Sequence, residues 1–218
     1  MSVNTIAANQ LMDQFEGHHS VWLFGYGSLI YKTDFPYLAR RPAHIAGWSR
    51  RFWQGSHDHR GTPDAPGRVV TLIAQADAVC HGMAYLITPE VFAHLDHREK
   101  NGYLRLAMPI TFDDDDANDA AATTTADAGV LGLVYIARED NAAYLGQASE
   151  RDIATHIAAA AGPSGPNHEY LTLLAAALRD MGRHDDHVFT IEQYLTELLD
   201  AQPGALGDAL TGAAERPR

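Results

Sequence analysis

The apolar positions of this 218-residue chain follow two rhythms. Between Val21 and Ile136 they come as short runs rich in β-branched and aromatic residues. From Ser149 onward they recur at three- and four-residue intervals. The first pattern predicts strands and the second predicts helices. The first run, VWLFGYGSLI from Val21 to Ile30, reads as a buried strand that enters a turn at Gly25-Tyr26-Gly27-Ser28. Glycine permits positive φ and close approach of a ligand to the backbone. A strand ending this way leaves N–H groups without a ladder partner, and such donors can gather around an anion or a carbonyl oxygen gaining charge. A plain tight turn with Ser28 as a cap is the alternative, and a lone GxG is a weak motif.

Before this strand, Ile6, Leu11, Met12 and Phe15 could form one weak amphipathic helix within a polar lead-in of residues 1–20. After it, AHIAGWSRRFWQ (Ala43–Gln54) predicts a strand bent at Gly47. Residues 55–67 form a polar loop. RVVTLIA (Arg68–Ala74) and VCHGMAYLI (Val79–Ile87) read as a hairpin joined by Gln75–Ala78. Thr88-Pro89 opens a short helix with Val91, Phe92 and Leu95 on its apolar face; Asn101-Gly102 supplies the left-handed stop. Glu99 then falls in the last turn, where the helix dipole disfavours its charge and the flanking Arg98 and Lys100 favour it. A carboxylate so poised suits a general base if it faces a cleft. Otherwise it is a solvated glutamate between two basic residues.

Leu104–Phe112 predicts a strand with an edge or bulge at Pro109. Residues 113–129, with four consecutive aspartates and no aliphatic side chain larger than alanine, predict a mobile acidic insertion. VLGLVYI (Val130–Ile136) resumes as a strand. Ser149 with Asp152 starts a helix in the manner of a capping box. The run GPSGP (Gly162–Pro166) predicts an irregular turn, with Asn167 capping a second helix through Met181 that presents Tyr170, Leu171, Leu174 and Leu178. Phe189–Leu199 is a last amphipathic helix, and residues 202–218 are a tail. One domain, residues 21–201, is expected.

Composition narrows the function. Net charge is −12, which argues against nucleic acid and acidic membrane surfaces as partners. The one cysteine, Cys80, excludes an intrachain disulfide and any cysteine-based metal site, and it fits a reducing, cytoplasmic setting. His57 and His59 lack a convincing third ligand, so no metal is expected there. No apolar run approaches the roughly 20 residues that span a bilayer. The segment from Arg40 to Arg68 holds six arginines and two acids and is thus +4 inside an acidic chain. It reads either as an ordinary surface or as a cationic rim for a small carboxylate-bearing substrate.

Four blocks, FGYGSLI, SRRFWQGSHDHRGTPDAPGRVVTL, LDHREKNGY and AAGPSGPNHEYL, occur in this order and together resemble the ChaC-like, glutathione-specific γ-glutamylcyclotransferases. The likeness covers roughly residues 21–199, with YGSL alone shared by a wider superfamily. It implies an α+β fold: a small mixed β-barrel of the γ-glutamylcyclotransferase type with surrounding helices and a helical C-terminal third. It also implies cleavage of glutathione to 5-oxoproline and cysteinylglycine. The family's substrate turn maps onto Gly25, Tyr26, Gly27, Ser28, Leu29 and Ile30, and its catalytic glutamate onto Glu99.

That chemistry agrees with the residues present. The nucleophile is the substrate's own α-amine, so no Ser, Cys, metal or cofactor is needed. One carboxylate must move a proton, and fixed donors must hold a carboxylate or an oxyanion. Tyr103 either orients a substrate carboxylate or packs. Arg50, Arg51, Arg60 and Arg68 are candidates for a second carboxylate, and Arg68 is counted with the site. Another γ-glutamyl substrate, or a non-catalytic binding module, are the competing readings. A nucleotide loop is disfavoured because the helix-opening GxGxxG pattern and the P-loop lysine are missing. A monomer or homodimer is expected.

Overall fold

The computed structural model describes residues 4–12, 17–113 and 129–201. Most of the acidic insertion and the tail from residue 202 lie outside them. The elements in chain order are α1 (Ile6–Gln10), β1 (Val21–Gly25), β2 (Ala39–Ser56), β3 (Gly67–Ile87), α2 (Phe92–Arg98), β4 (Tyr103–Phe112), β5 (Val130–Ala137), α3 (Glu150–Ala159), the two-residue strands β6 (Ala161–Gly162) and β7 (Gly165–Pro166), α4 (Asn167–Asp180) and α5 (Asp186–Asp200). Five strands close into a barrel in the order β1-β3-β2-β4-β5. All neighbours are antiparallel except β1 and β5, which run parallel and complete the circle. Closure removes the exposed sheet edge that would otherwise invite pairing with another chain.

β1, the last part of β3 and most of β5 read as apolar runs because both their faces are buried, whereas β4 alternates buried and exposed residues. Phe24, Ala84, Val134 and Ile136 join a core shared with the C-terminal helices. Their neighbours Leu23, Met83, Tyr85, Leu133 and Tyr135 join a second core, closed by Phe92 and Leu95 of α2. Alternation along each strand assigns the side chains to the two cores.

Three expectations change. The predicted hairpin at Gln75–Ala78 is one 21-residue strand, β3. Its two halves pair antiparallel with the same partner, β2, and the register shifts where Ala46 opposes Val79 and Trp48 opposes Ala74. The polar residues Gln75–Ala78 are therefore the bulged side of a bend at Gly47 and do not reverse the chain. The GPSGP run is regular: β6 and β7 pair through Ala161–Pro166 and Gly162–Gly165. Asn167 does not cap α4. Its amide sits in the core, accepting from the Arg68 N–H at 2.6 Å and donating to the Arg68 carbonyl at 2.8 Å, so it docks the helix onto β3. Ser149 caps α3 as expected, its Oγ accepting from the Asp152 N–H at 3.2 Å.

Of the helix expected in the lead-in, α1 covers Ile6–Gln10, Leu11 and Met12 fall beyond it, Phe15 lies outside the described residues, and α1 is fastened to the barrel. The Thr5 N–H donates to the Lys100 carbonyl at 2.8 Å, and Asn9 is fully buried against β4. Among the described residues no helix is long and apolar enough to cross a membrane.

Candidate active site

Glu99 is placed by its helix. Thr88 is extended, Pro89–Val91 form a 3-10 turn, and α2 follows with Phe92 and Leu95 buried as anchors. Glu99 is the C-cap of α2, its N–H bonded to the Leu95 carbonyl at 2.8 Å. Three residues on, Gly102 has φ +89° and turns the chain into β4. A side chain there would sit in the left-handed region and meet Asn141 Oδ1 at 2.6 Å. Glu99 is thus held between a buried helix and a fixed turn, its side chain 16% exposed.

Two joined chambers meet at Glu99. An inner one of about 30 Å³ is lined by the Gly27–Leu29 turn, Tyr103, Tyr135 and Tyr170. An outer one of about 310 Å³ is rimmed by Tyr31, Lys32, Arg60, Arg98 and Lys100. Ser28, Glu99, Tyr103 and Tyr170 line both. Burial pushes the Glu99 carboxyl above the usual glutamate range; Arg98 pulls against it and Asp34 adds to it. Asp34 behaves oppositely: burial raises it, but Arg98 and His94 outweigh that and hold it below the usual range. Burial also drives the phenols of Tyr26, Tyr103 and Tyr170 above their ordinary values, so they stay neutral and do not act as bases. That leaves Glu99 as the group in the inner chamber able to carry a proton both ways.

The turn is locked from behind. Arg50, buried, donates through Nε to the Tyr26 carbonyl at 2.6 Å, through Nη1 to Asp185 at 2.7 Å and through Nη2 to the His81 carbonyl at 2.5 Å. Tyr26 points inward, its hydroxyl donating to the Tyr135 carbonyl at 2.8 Å, and Leu29 and Ile30 are buried in the two cores. These three can therefore offer ligands only backbone groups, while Ser28 presents its hydroxyl. Ser28–Ile30 form a 3-10 turn, and the carbonyls of Gly27 and Ser28 are bonded to the N–H groups of Ile30 and Tyr31. The first N–H groups of such a turn point outward without partners of its own. Gly27 lies at φ −123°, so positive φ is not what calls for glycine there. Glycine is required by space: a Cβ would come within 2.8 Å of Tyr170 Oη and of Val70 Cγ2. Gly25 is similar, its Cβ position lying 2.5 Å from that of Leu29.

The structure brings Tyr26–Leu29, Glu99 and Tyr103 together, while Gly25 and Ile30 flank the turn without lining either chamber. Tyr103 donates its hydroxyl to the Val70 carbonyl at 2.8 Å while its ring lines both chambers. Arg68 is not brought to the chambers. Its guanidinium lines neither chamber and is taken up by the carbonyls of Phe52 at 2.9 Å and Gly146 at 3.1 Å. Of the four arginines singled out from the sequence, only Arg60 rims the chamber, held by the Pro166 carbonyl at 2.9 Å and Glu169 at 2.8 Å. Sequence reasoning missed Arg98 as a brace: it donates to Ser28 Oγ at 2.8 Å, pairs with Asp34 at 2.5 Å and lies 3.3 Å from Glu99. Its position next to Glu99 was the available signal. Tyr31, whose buried hydroxyl has no partner among the described residues, was also missed.

The profile of the ChaC-like protein family matches residues 21–198. γ-Glutamylcyclotransferase 2-3 of Arabidopsis thaliana is 46% identical over 188 residues, covering 83% of this chain and 90% of its own. Glutathione-specific γ-glutamylcyclotransferase 1 of Danio rerio is 42% identical, covering 84% and 92%. The crystal structure of a yeast γ-glutamylcyclotransferase specific to glutathione superposes with a TM-score of 0.75 at 32% identity, covering 83% of this chain and 97% of that one. With its barrel, turn and glutamate in the expected order, the chain belongs to the ChaC-like family.

Proposed function

We propose that this protein is a glutathione-specific γ-glutamylcyclotransferase that uses Glu99 as its proton carrier. The observation that carries the reading is the meeting of a buried carboxylate of raised pKa with the Tyr26–Leu29 turn in one small chamber. The γ-glutamyl group sits where the two chambers meet, against Ser28, Glu99, Tyr103 and Tyr170. Cysteinylglycine extends into the outer one, whose Lys32, Arg60 and Lys100 favour a substrate with a second carboxylate.

In the reaction the substrate's α-amine nitrogen bonds to its own γ-carbonyl carbon, closing the five-membered lactam. The amide bond from that carbon to the cysteine nitrogen breaks. Glu99 takes the proton released by the amine and delivers it to the departing nitrogen, so the enzyme ends unchanged. The walls formed by Tyr103 and Tyr170 hold the extended γ-glutamyl chain in its folded conformer, the step in which enforced proximity lowers the barrier most. The outward N–H groups of the turn and Ser28 Oγ receive the α-carboxylate or the oxyanion on the γ-carbonyl. No step calls for a cofactor. Residues 21–201 are the domain that performs it. A reducing cytoplasmic setting is supported by the single buried thiol of Cys80, pushed up to about 11 by burial and so kept unreactive.

The test is to incubate the purified protein and Glu99→Gln in parallel with reduced glutathione and follow 5-oxoproline and cysteinylglycine by mass spectrometry. Both products from the wild type alone are expected. Equal rates from both proteins would remove Glu99 from the mechanism. No product from either, with turnover of another γ-glutamyl peptide, would move the substrate but keep the chemistry.

A further inference from the structure

Away from the chambers, three neighbouring barrel strands deliver three metal-binding side chains to one point. His44 on β2 and His81 on β3 are direct register partners, and Asp113 follows the end of β4, which pairs with β2 at Ala43–Phe112 and His44–Thr111. Asp113 is anchored by its N–H, which donates to the Pro42 carbonyl at 2.9 Å. Asp113 Oδ1 lies 2.5 Å from His44 Nδ1, and Oδ2 lies 3.1 Å from His81 Nδ1. One donor atom from each residue falls within 4.8 Å of the other two. The carboxylate is 6% exposed and the imidazoles are 26% and 25% exposed, so the cluster has a closed floor and an open mouth. The cyclisation derived above uses none of these groups.

We propose that His44, His81 and Asp113 form a site for one divalent transition-metal ion of the Zn²⁺ type. Two imidazoles and one carboxylate, with room left for water, match the ligand preference of such ions. The ion replaces the hydrogen bonds that now link each ring to the carboxylate, and with metal–ligand bonds of about 2.0–2.2 Å the 2.5 Å His44–Asp113 contact opens by nearly an ångström. Arg183, whose Nη2 lies 2.9 Å from Asp113 Oδ2, remains as an outer partner orienting the carboxylate while its charge weakens the site. The ion ties β4 to β2 and β3 at the seam where β2 and β4 share only two register pairs. Its role is thus to staple the barrel.

The test uses the tag-free full chain stripped with chelator and titrated with Zn²⁺, reading stoichiometry by metal analysis after dialysis and the melting temperature with and without the ion. Co²⁺ serves as an absorbing substitute. One tightly held equivalent, a Zn²⁺-dependent rise in melting temperature and a visible Co²⁺ band are expected. His81→Ala and Asp113→Asn should weaken binding at least about tenfold and abolish the thermal response. Arg183→Gln should retain or tighten binding, an outcome a merely structural ion-pair cluster does not give. If a ligand variant fails to fold, His44→Gln, on the half-exposed side, carries the comparison. Binding and thermal shift unchanged in the ligand variants, or no binding tighter than the scattered surface histidines provide, would overturn the proposal. Turnover of glutathione enters neither readout, so the outcome is independent of the catalytic reading.

Discussion

Arg98 Nε lies 3.3 Å from Glu99 Oε1, a cation beside the very carboxylate that must stay ready to accept a proton. The same guanidinium holds Ser28 of the turn and Asp34 of the rim. It therefore sets both the charge and the position of the reacting groups.

The first prediction follows from that pair. Arg98 lowers the Glu99 pKa against the larger raising effect of burial. Removing the cation leaves burial unopposed and raises it further. The base must be ionised to act, so the acid limb of the kcat/KM profile should begin above the ordinary glutamate value in the wild type and move to still higher pH in Arg98→Gln. Profiles between pH 4 and 9 read this directly. An unmoved limb would mean that another group controls it. KM should also rise, because Ser28 loses its 2.8 Å partner.

Glu99→Gln should separate activity from stability. Turnover should fall by about 10²–10⁴, the usual range for a lost acid–base group. Stability should change the other way. A carboxyl whose folded pKa is raised favours folding fully below its unfolded pKa, and that advantage is lost as pH rises through the folded value. At neutral pH the wild type thus bears the cost of a buried charge, and the amide does not. The melting temperature of Glu99→Gln should exceed that of the wild type at pH 7, with the gap closing toward pH 4. A variant that melts lower at pH 7 would contradict this account of Glu99.

Gly27 tests the shape of the inner chamber. A Cβ at this position meets Tyr170 Oη and Val70 Cγ2 at 2.8 Å each. Such overpacking typically costs about 1–3 kcal/mol. Gly27→Ala should lose stability in this range and raise KM. Tyr170→Phe removes one of the two obstructing atoms, so the double variant should recover part of both losses, a coupling that a double-mutant cycle measures. Strict additivity would show that the clash with Tyr170 is not the cause.

Much of this was legible in the sequence because it rests on local rules. The strand into Gly25–Ser28, the helical turn opened at Pro89, the left-handed Gly102 and the Ser149 cap each follow from a few adjacent residues, although Thr88 makes no side-chain cap and α2 ends at Arg98, before Gly102. What escaped depends on side chains bonding backbone far along the chain, which leaves no periodic trace. Asn167 docks on Arg68, and Arg50 locks the Tyr26 carbonyl. The β3 bend reads as a hairpin because Gln75–Ala78 carries turn-like polarity, and only its pairing with a single partner strand decides otherwise. Arg68 lies away from the chambers because its guanidinium bonds the carbonyls of Phe52 and Gly146, contacts with no local signature.

Asn9 is another of these long-range ties and gives the last prediction. Its side chain donates to the Tyr103 carbonyl at 3.1 Å and accepts from the Arg105 N–H at 3.0 Å, acting on β4 as a neighbouring strand would. It is fully buried. Asn9→Ala leaves two buried backbone groups unsatisfied, each costing about 1–3 kcal/mol. A total loss of roughly 2–4 kcal/mol in urea unfolding is expected. Tyr103 begins the strand that Asn9 holds and lines both chambers beside Glu99. Loosening it should lower kcat in the folded fraction more than it raises KM, since the proton carrier and its wall move relative to the turn. Asn9→Asp keeps the acceptor for Arg105 and loses the donor to Tyr103, so it should fall between wild type and alanine. If Asn9→Ala unfolds at the wild-type denaturant midpoint and turns over normally, the lead-in is an ornament to the barrel and not part of what steadies the site.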